Sequence, residues 1–128
     1  MESLFAHLIL DVDSVDASLL FYHEQLGFSV LGVGDLDGHR LATVRAGEME
    51  ILLLQQPEFD RATIRDRGRG LVMNFKVSGL LEVASRLKQS QVQVLRDLED
   101  PPFGNRTFLI SDPDGYAILL SEPVGTIH

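Results

Sequence analysis

The feature that most constrains the fold is an internal repeat, in which the second half of the chain follows the pattern of the first. Val12, which precedes the first predicted helix, corresponds to Val77, which precedes the second. The apolar run 51–53 corresponds in the same way to the run 118–120. Both offsets are about 65 residues in a chain of 128, which is typical of two copies of one unit. Each half shows a strand, a helix and three further strands. We therefore predict an α+β fold of two βαβββ modules in tandem, which form a concave mixed sheet and a single domain.

The first module spans about residues 4–54 and has clear signals at its turns. Ser14 can cap a helix, because its side-chain oxygen can accept a hydrogen bond from the first turn. Gly27 is a natural C-terminal cap, and the DLDG sequence at residues 35–38 is typical of a hairpin turn. The predicted helix carries one apolar stripe, made of Val15, Leu19, Tyr22 and Leu26. Alternation and apolar runs predict strands over residues 4–12, 28–33, 40–45 and 49–54.

The second module spans about residues 70–122 and follows a polar connector over residues 55–69. Ser78 is predicted to cap its helix. Gln91 lies past the end of this helix, where glycine would relieve left-handed strain that costs glutamine about 1 kcal/mol. The predicted helix carries the apolar stripe Leu80, Val83, Ala84 and Leu87. Strands are predicted over residues 71–77, 92–95, 106–111 and 116–121, with a DPDG turn between the last two.

Charge and composition exclude several classes of function. The chain has 11 Lys and Arg against 19 Asp and Glu, a net charge of −8, so it lacks the basic stripe that nucleic acids require. The same charge disfavours anionic membranes, and no apolar run approaches the roughly 20 residues that span a bilayer. There is no cysteine, hence no disulfide, thiol nucleophile or cysteine-ligated metal. The N-terminal residues carry no secretion signal, so we expect a cytoplasmic protein.

Two segments of the sequence resemble the vicinal oxygen chelate superfamily. The first is His7 with its alternating strand, followed by FYHEQLGF at residues 21–28; the second is PFGNR at residues 102–106 with DPDGY at residues 112–116. This superfamily contains glyoxalase I, bleomycin-resistance proteins, fosfomycin-resistance enzymes and extradiol dioxygenases. The resemblance covers nearly the whole chain and implies the tandem βαβββ fold. Physically, the motif residues serve to pack a helix on a sheet and to set a hairpin, so they imply no single activity.

The resemblance also implies metal ligands at four positions of the concave face. They fall on His7, Leu52, Val72 and Leu119, and the internal repeat pairs the same positions. Only His7 has a lone pair to donate, whereas a catalytic zinc or iron ion needs at least three protein ligands. We therefore predict no metal and no other cofactor. The remaining histidines, His23, His39 and His128, are predicted to be solvated at the surface.

The alternation of the strands predicts which side chains line the concave face. They are His7, Ile9, Asp11, Glu50, Leu52, Leu54, Val72, Asn74, Lys76, Ala117, Leu119 and Ser121. Such an apolar floor with a few polar groups is typical of a small-molecule pocket. The ligand-binding residues that we predict are His7, Asp11, Glu50, Leu52, Val72, Asn74, Lys76, Leu119 and Ser121. The apolar members could instead be core or a dimer interface, and Lys76 could pair with Asp11 or Glu50.

The predicted function is that of a metal-free small-molecule-binding protein, which resembles the bleomycin-resistance proteins that sequester an antibiotic. Asp11 and Glu50 favour a cationic ligand. A homodimer is expected, because a small sheet with a concave apolar face needs cover. The alternatives are a metal-dependent lyase, isomerase or dioxygenase of the glyoxalase type, and an interaction domain with a vestigial cavity. For catalysis without a metal, a His7–Glu50 acid/base pair is the one candidate, and no catalytic residue is assigned.

Overall fold

A computed structural model of the protein describes residues 1–55 and 68–124. The chain divides into two compact units, Met1–Arg65 and Asp66–His128. The boundary lies within the predicted connector, of which residues 56–67 are outside the described part. Each unit is therefore described by itself.

The first unit is a four-stranded mixed sheet with one helical segment. Its strands are β1 (Leu8–Val12), β2 (Ser29–Leu36), β3 (His39–Ala46) and β4 (Met49–Gln55), and its helix α1 (Val15–Leu19) continues into a π-helical segment (Leu20–Gln25). The strand order is β1-β4-β3-β2, with β1 parallel to β4 and the other pairs antiparallel. β1 is shorter than predicted, because its pairing with β4 begins only at Leu8, which is in register with Ile51.

The helical segment begins at the predicted cap, but its second half is a π-helix and not the predicted α-helix. Ser14 Oγ accepts a hydrogen bond from the backbone N–H of Ala17 at 3.1 Å. From Leu20 onward the segment is π-helical, and Leu26 N–H bonds to the carbonyl of Phe21, five residues earlier. Of the predicted stripe, Val15 and Tyr22 are buried, whereas Leu19 and Leu26 are half-buried. The π-helical segment also buries Phe21, which the prediction did not include. The buried side chains of this segment are Val15, Ser18, Phe21 and Tyr22.

The core of the first unit lies between the helical segment and one face of the sheet. Tyr22 is fully buried, with its ring 4.9 Å from Phe21 and 5.9 Å from Phe28. The buried sheet residues are Leu10, Val12, Ala42, Val44, Ile51 and Leu53. They alternate along their strands, so the opposite face of the sheet carries the intervening residues.

The second unit repeats the topology of the first. Its elements are β5 (Val72–Lys76), α2 (Leu80–Gln89), β6 (Gln93–Glu99), β7 (Gly104–Ser111) and β8 (Ala117–Val124). The strand order is β5-β8-β7-β6, with β5 parallel to β8. Two units of the same order confirm the predicted α+β class and the tandem βαβββ modules. The buried residues Met73, Leu80, Ala84, Leu87, Phe108, Ile110, Ile118 and Leu120 form its core.

The N-terminus of α2 corrects the prediction that Ser78 caps this helix. The cap position is Gly79, which has a φ of 70° and no side chain that could accept a hydrogen bond from the helix N-terminus. The Glu122 carboxylate on β8 supplies the acceptors instead, at 2.6 Å from Gly79 N and 3.1 Å from Leu80 N. Arg106 holds this carboxylate through Nη1 at 2.8 Å and contacts Asp100 through Nε at 2.8 Å. The cap therefore comes from a strand far away in the sequence.

Candidate ligand-binding faces

The predicted pocket residues of the first unit lie on the face of the sheet opposite the helical segment. Ile9 is in register with Leu52, and Asp11 is in register with Leu54. Their neighbours Leu10 and Leu53 are buried on the helical side, whereas Ile9 is 55 % exposed. We call the surface formed by Ile9, Asp11, Leu41, Thr43, Glu50, Leu52 and Leu54 the first open face.

Sequence reasoning missed two members of this surface, Leu41 and Thr43. β3 lies next to β4, with Leu41 in register with Leu54 and Thr43 in register with Leu52. The signal was present, because β3 alternates in the same way as β4. Because β3 lies between β4 and β2, these two side chains are at the centre of the sheet.

The charged groups on the first open face and beside it lie on three strands. Asp11 and Glu50 are half-buried, and Arg45 is the register partner of Glu50. His7 precedes β1 and is exposed. Within residues 1–55, Glu50 forms no ion pair with Arg45 or with His7. The predicted His7–Glu50 acid/base pair is therefore not formed as a hydrogen bond in this structure.

The second unit has a corresponding surface opposite α2. β5 and β8 place Val72 beside Ala117, Asn74 beside Leu119, and Lys76 beside Ser121. Val72 is 56 % exposed, whereas its neighbour Met73 is buried toward α2. We call the surface formed by Val72, Asn74, Lys76, Thr107, Leu109, Ser111, Ala117, Leu119 and Ser121 the second open face. Thr107, Leu109 and Ser111 come from β7 and were not predicted.

One hydrogen bond organises the polar part of the second open face. Ser121, which is 9 % exposed, donates from Oγ to Asn74 Oδ1 at 2.8 Å. Both residues are among those predicted to bind a ligand, and β5 and β8 bring them together although they are far apart in the sequence. Because its Oδ1 accepts this bond, the Asn74 carboxamide has its Nδ2 group left as the donor.

The residues at the four family ligand positions do not fit a divalent metal ion. His7 offers a nitrogen, but Leu52, Val72 and Leu119 have no atom that can donate a lone pair. In residues 1–55 and 68–124, no group of three or more His, Cys, Asp or Glu residues is placed to hold a metal. We therefore derive no chemistry through a metal.

Two of the other histidines are more constrained than a solvated surface residue. The His23 ring is exposed, but its Nδ1 donates a hydrogen bond to the Phe28 carbonyl oxygen at 2.7 Å. His39 is half-buried, and its Nδ1 atom is fully buried. His128 lies outside the described residues. His23 also borders an open depression of about 400 Å³ on the helical side, which includes none of the predicted ligand-binding residues.

The sequence matches the Glyoxalase/Bleomycin resistance protein/Dioxygenase superfamily over residues 4–120. The protein therefore belongs to this superfamily, as the sequence motifs implied. Comparison with curated proteins gave no match. None of the helices in the described residues is long and apolar enough to cross a membrane.

Several solved structures have the same fold as this chain. The chain is similar to a trypanothione-dependent glyoxalase I of Leishmania major, with 24% identity, a TM-score of 0.76, and coverage of 94% of this chain and 87% of that one. A glyoxalase/bleomycin resistance/dioxygenase domain from Frankia has 21% identity and a TM-score of 0.76, with 100% and 97% covered. A glyoxalase family protein from Enterococcus faecalis has 24% identity and a TM-score of 0.71, with 93% and 97% covered. At these identities the likeness shows the fold alone.

Proposed function

We propose that the protein binds a small organic molecule on its open faces without a metal ion, in the manner of the drug-sequestering bleomycin-resistance proteins. The observation that supports this most is the chemistry of the family ligand positions: Leu52, Val72 and Leu119 replace metal ligands with apolar side chains. The same side chains lie on exposed or half-buried sheet faces beside a few polar groups. An apolar surface with sparse hydrogen-bonding groups suits an organic ligand.

The first open face gives this proposal a charge preference. It carries the carboxylates of Asp11 and Glu50, and the chain as a whole has a net charge of −8. A negative surface raises the local concentration of cations, and carboxylates form strong hydrogen bonds with cationic donors. We therefore propose a ligand that carries positive charge, such as a basic glycopeptide or a cationic planar aromatic antibiotic.

A thermal-shift screen tests this preference. Cationic glycopeptide and planar aromatic antibiotics are compared with small anionic metabolites, and a ligand at 100 times its Kd is expected to stabilise the fold by about 2.7 kcal/mol. The stabilisation should disappear in the double variant Asp11→Asn, Glu50→Gln. The matched control is Glu48→Gln, in the exposed turn before β4, which should keep it. Stabilisation by anionic compounds alone would contradict the cationic preference.

The alternative is a metal-dependent lyase, isomerase or dioxygenase of the glyoxalase type, because the superfamily that the sequence matches includes glyoxalases and dioxygenases. Metal analysis of the purified protein separates the two proposals. We expect no stoichiometric Zn, Ni, Mn or Fe, because a single histidine holds such an ion weakly. A stoichiometric metal that is lost in His7→Ala would establish the alternative and exclude metal-free binding. The cytoplasmic location and the homodimer stay predictions.

A further inference from the structure

The second open face carries two hydrogen-bond donors next to an apolar surface. Asn74 directs its Oδ1 to Ser121, so Nδ2 is the donor that the carboxamide has left for another molecule. Lys76 follows two residues later on the same face of β5, about 7 Å along the strand. An ammonium and an amide N–H group are thus carried at successive positions of one strand face, and neither can accept a hydrogen bond.

The charge of Lys76 is not compensated within its own unit. In residues 68–124, Lys76 forms no ion pair. Glu99, which β6 brings toward this face, is held by Arg96 Nε at 3.3 Å. Glu122 on β8 is directed to the opposite side, where it bonds to Arg106 and to the N-terminus of α2. The second open face therefore has an unpaired positive charge.

The surroundings of the two donors determine what kind of acceptor they suit. Val72 is exposed at one end of β5, and Leu119 lies beside Asn74, so an apolar body can rest against them. One ammonium compensates one negative charge, so a dianion such as phosphate would need a second positive group on this face. Arg96, in register with Leu109, is paired with Glu99. The N-terminus of α2 is already occupied by the Glu122 carboxylate. A singly charged carboxylate is the acceptor that remains.

We infer that the second open face binds the carboxylate of an organic acid with an apolar body, through Lys76 Nζ and Asn74 Nδ2. This rests on the proposed small-molecule binding but not on the cationic preference of the first open face.

Three matched probes test the inference: 2-naphthoate, its uncharged carboxamide, and 2-naphthylmethylammonium. Binding is measured by titration calorimetry at low salt, because screening weakens exposed ion pairs. We expect 2-naphthoate to bind about fivefold more tightly than the carboxamide, which shares its apolar ring and shape. Lys76→Met should reduce this ratio to about one and leave carboxamide binding unchanged.

Two variants serve as controls. Lys88→Met removes the same charge from α2, where Lys88 Nζ pairs with Asp97 at 2.6 Å, and it should keep the preference for 2-naphthoate. Asn74→Asp keeps the size of the side chain but places a second carboxylate at the donor, so it should abolish 2-naphthoate binding. The melting temperature of each variant shows that it is folded.

The outcomes separate this inference from the proposed function. Equal binding of 2-naphthoate and its carboxamide, or a preference that Lys76→Met keeps, overturns the carboxylate site. Binding of 2-naphthylmethylammonium alone also overturns it, but supports the cationic ligand of the first open face. If none of the three probes binds, the inference fails, and the proposed function fails with it only if the wider antibiotic and metabolite screen also finds no ligand.

Discussion

Gln91 occupies a backbone conformation that glycine adopts far more easily. It lies two residues after the end of α2, its φ is 64°, and its N–H bonds to the carbonyl of Lys88 at 3.3 Å. In this left-handed region the Cβ atom crowds the following carbonyl oxygen. We expect Gln91→Gly to raise the free energy of unfolding by about 1 kcal/mol, as measured by urea denaturation.

A second glycine variant shows whether that gain comes from the backbone angle. Gln89 lies at the end of α2 itself, where the backbone is helical. Gln89→Gly should lower the free energy of unfolding by about 0.5–1 kcal/mol, because glycine is a poor helix former. If both variants changed stability in the same direction, the strain at Gln91 would not explain the effect.

At the scale of single residues, the alternation of the strands was the most informative signal for the candidate site. It correctly separated Leu52 from its buried neighbours Ile51 and Leu53. It could not show that Ser121 bonds to Asn74, because that contact depends on the register of two strands that are distant in the sequence. A side chain's face follows from local geometry, whereas its partner follows from tertiary pairing.

At the scale of elements, both helical segments departed from what local sequence predicts. The π-helical segment over Leu20–Gln25 shifts the buried face, and no residue preference marks such a turn in advance. For α2 the predicted cap residue, Ser78, was reasonable on local grounds. The Glu122 carboxylate on β8 caps the helix instead of Ser78. A cap that another element supplies leaves no pattern in the sequence around the helix.

The cap on α2 makes the stability of the second unit sensitive to acid. The hydrogen bond from Gly79 N, together with that from Leu80 N and the Arg106 guanidinium, lowers the pKa of Glu122 below its ordinary value. As the pH falls, the unfolded chain therefore takes up this proton before the folded chain does. The stabilisation is complete above the ordinary glutamate pKa of about 4.3 and is lost as the pH falls through the lower, folded value.

The variant Glu122→Gln tests this assignment through the pH dependence of the melting temperature. At pH 7 it should melt below the wild type, because an uncharged amide interacts less well with the helix N-terminus and with Arg106. In the acid range the two curves should converge. Glu82→Gln, in the first turn of α2, is the matched control, because within residues 68–124 the Glu82 side chain bonds neither to Arg106 nor to Gly79. It should leave the difference between pH 7 and acid largely intact. A wild-type-like curve for Glu122→Gln would contradict the assignment.

At the scale of the whole molecule, the repeat was enough to predict two units with the same strand order, since each copy must bury the same apolar faces. The two units nevertheless differ at their edges. β6 carries Arg96, Asp97 and Glu99, and charges on an edge strand discourage pairing with another chain. β2 carries a single charged residue, Asp35, over its eight residues. Its exposed apolar side chains are Val30, Leu31, Val33 and Leu36.

This difference leads to a prediction about the expected homodimer. An exposed edge strand with few charges can pair with another chain, and the low charge of β2 lets two copies of a chain with net charge −8 approach there. Sedimentation equilibrium at micromolar concentration should give twice the chain mass of 14.2 kDa.

Two lysine variants test which edge strand forms the contact. Val33→Lys on β2 should shift the equilibrium toward the monomer, because a lysine on an edge strand discourages pairing with another chain. Leu95→Lys, at a similarly exposed position on β6, should leave the dimer intact. A monomeric wild type would exclude the dimer, and dissociation by Leu95→Lys but not by Val33→Lys would place the contact on the other edge.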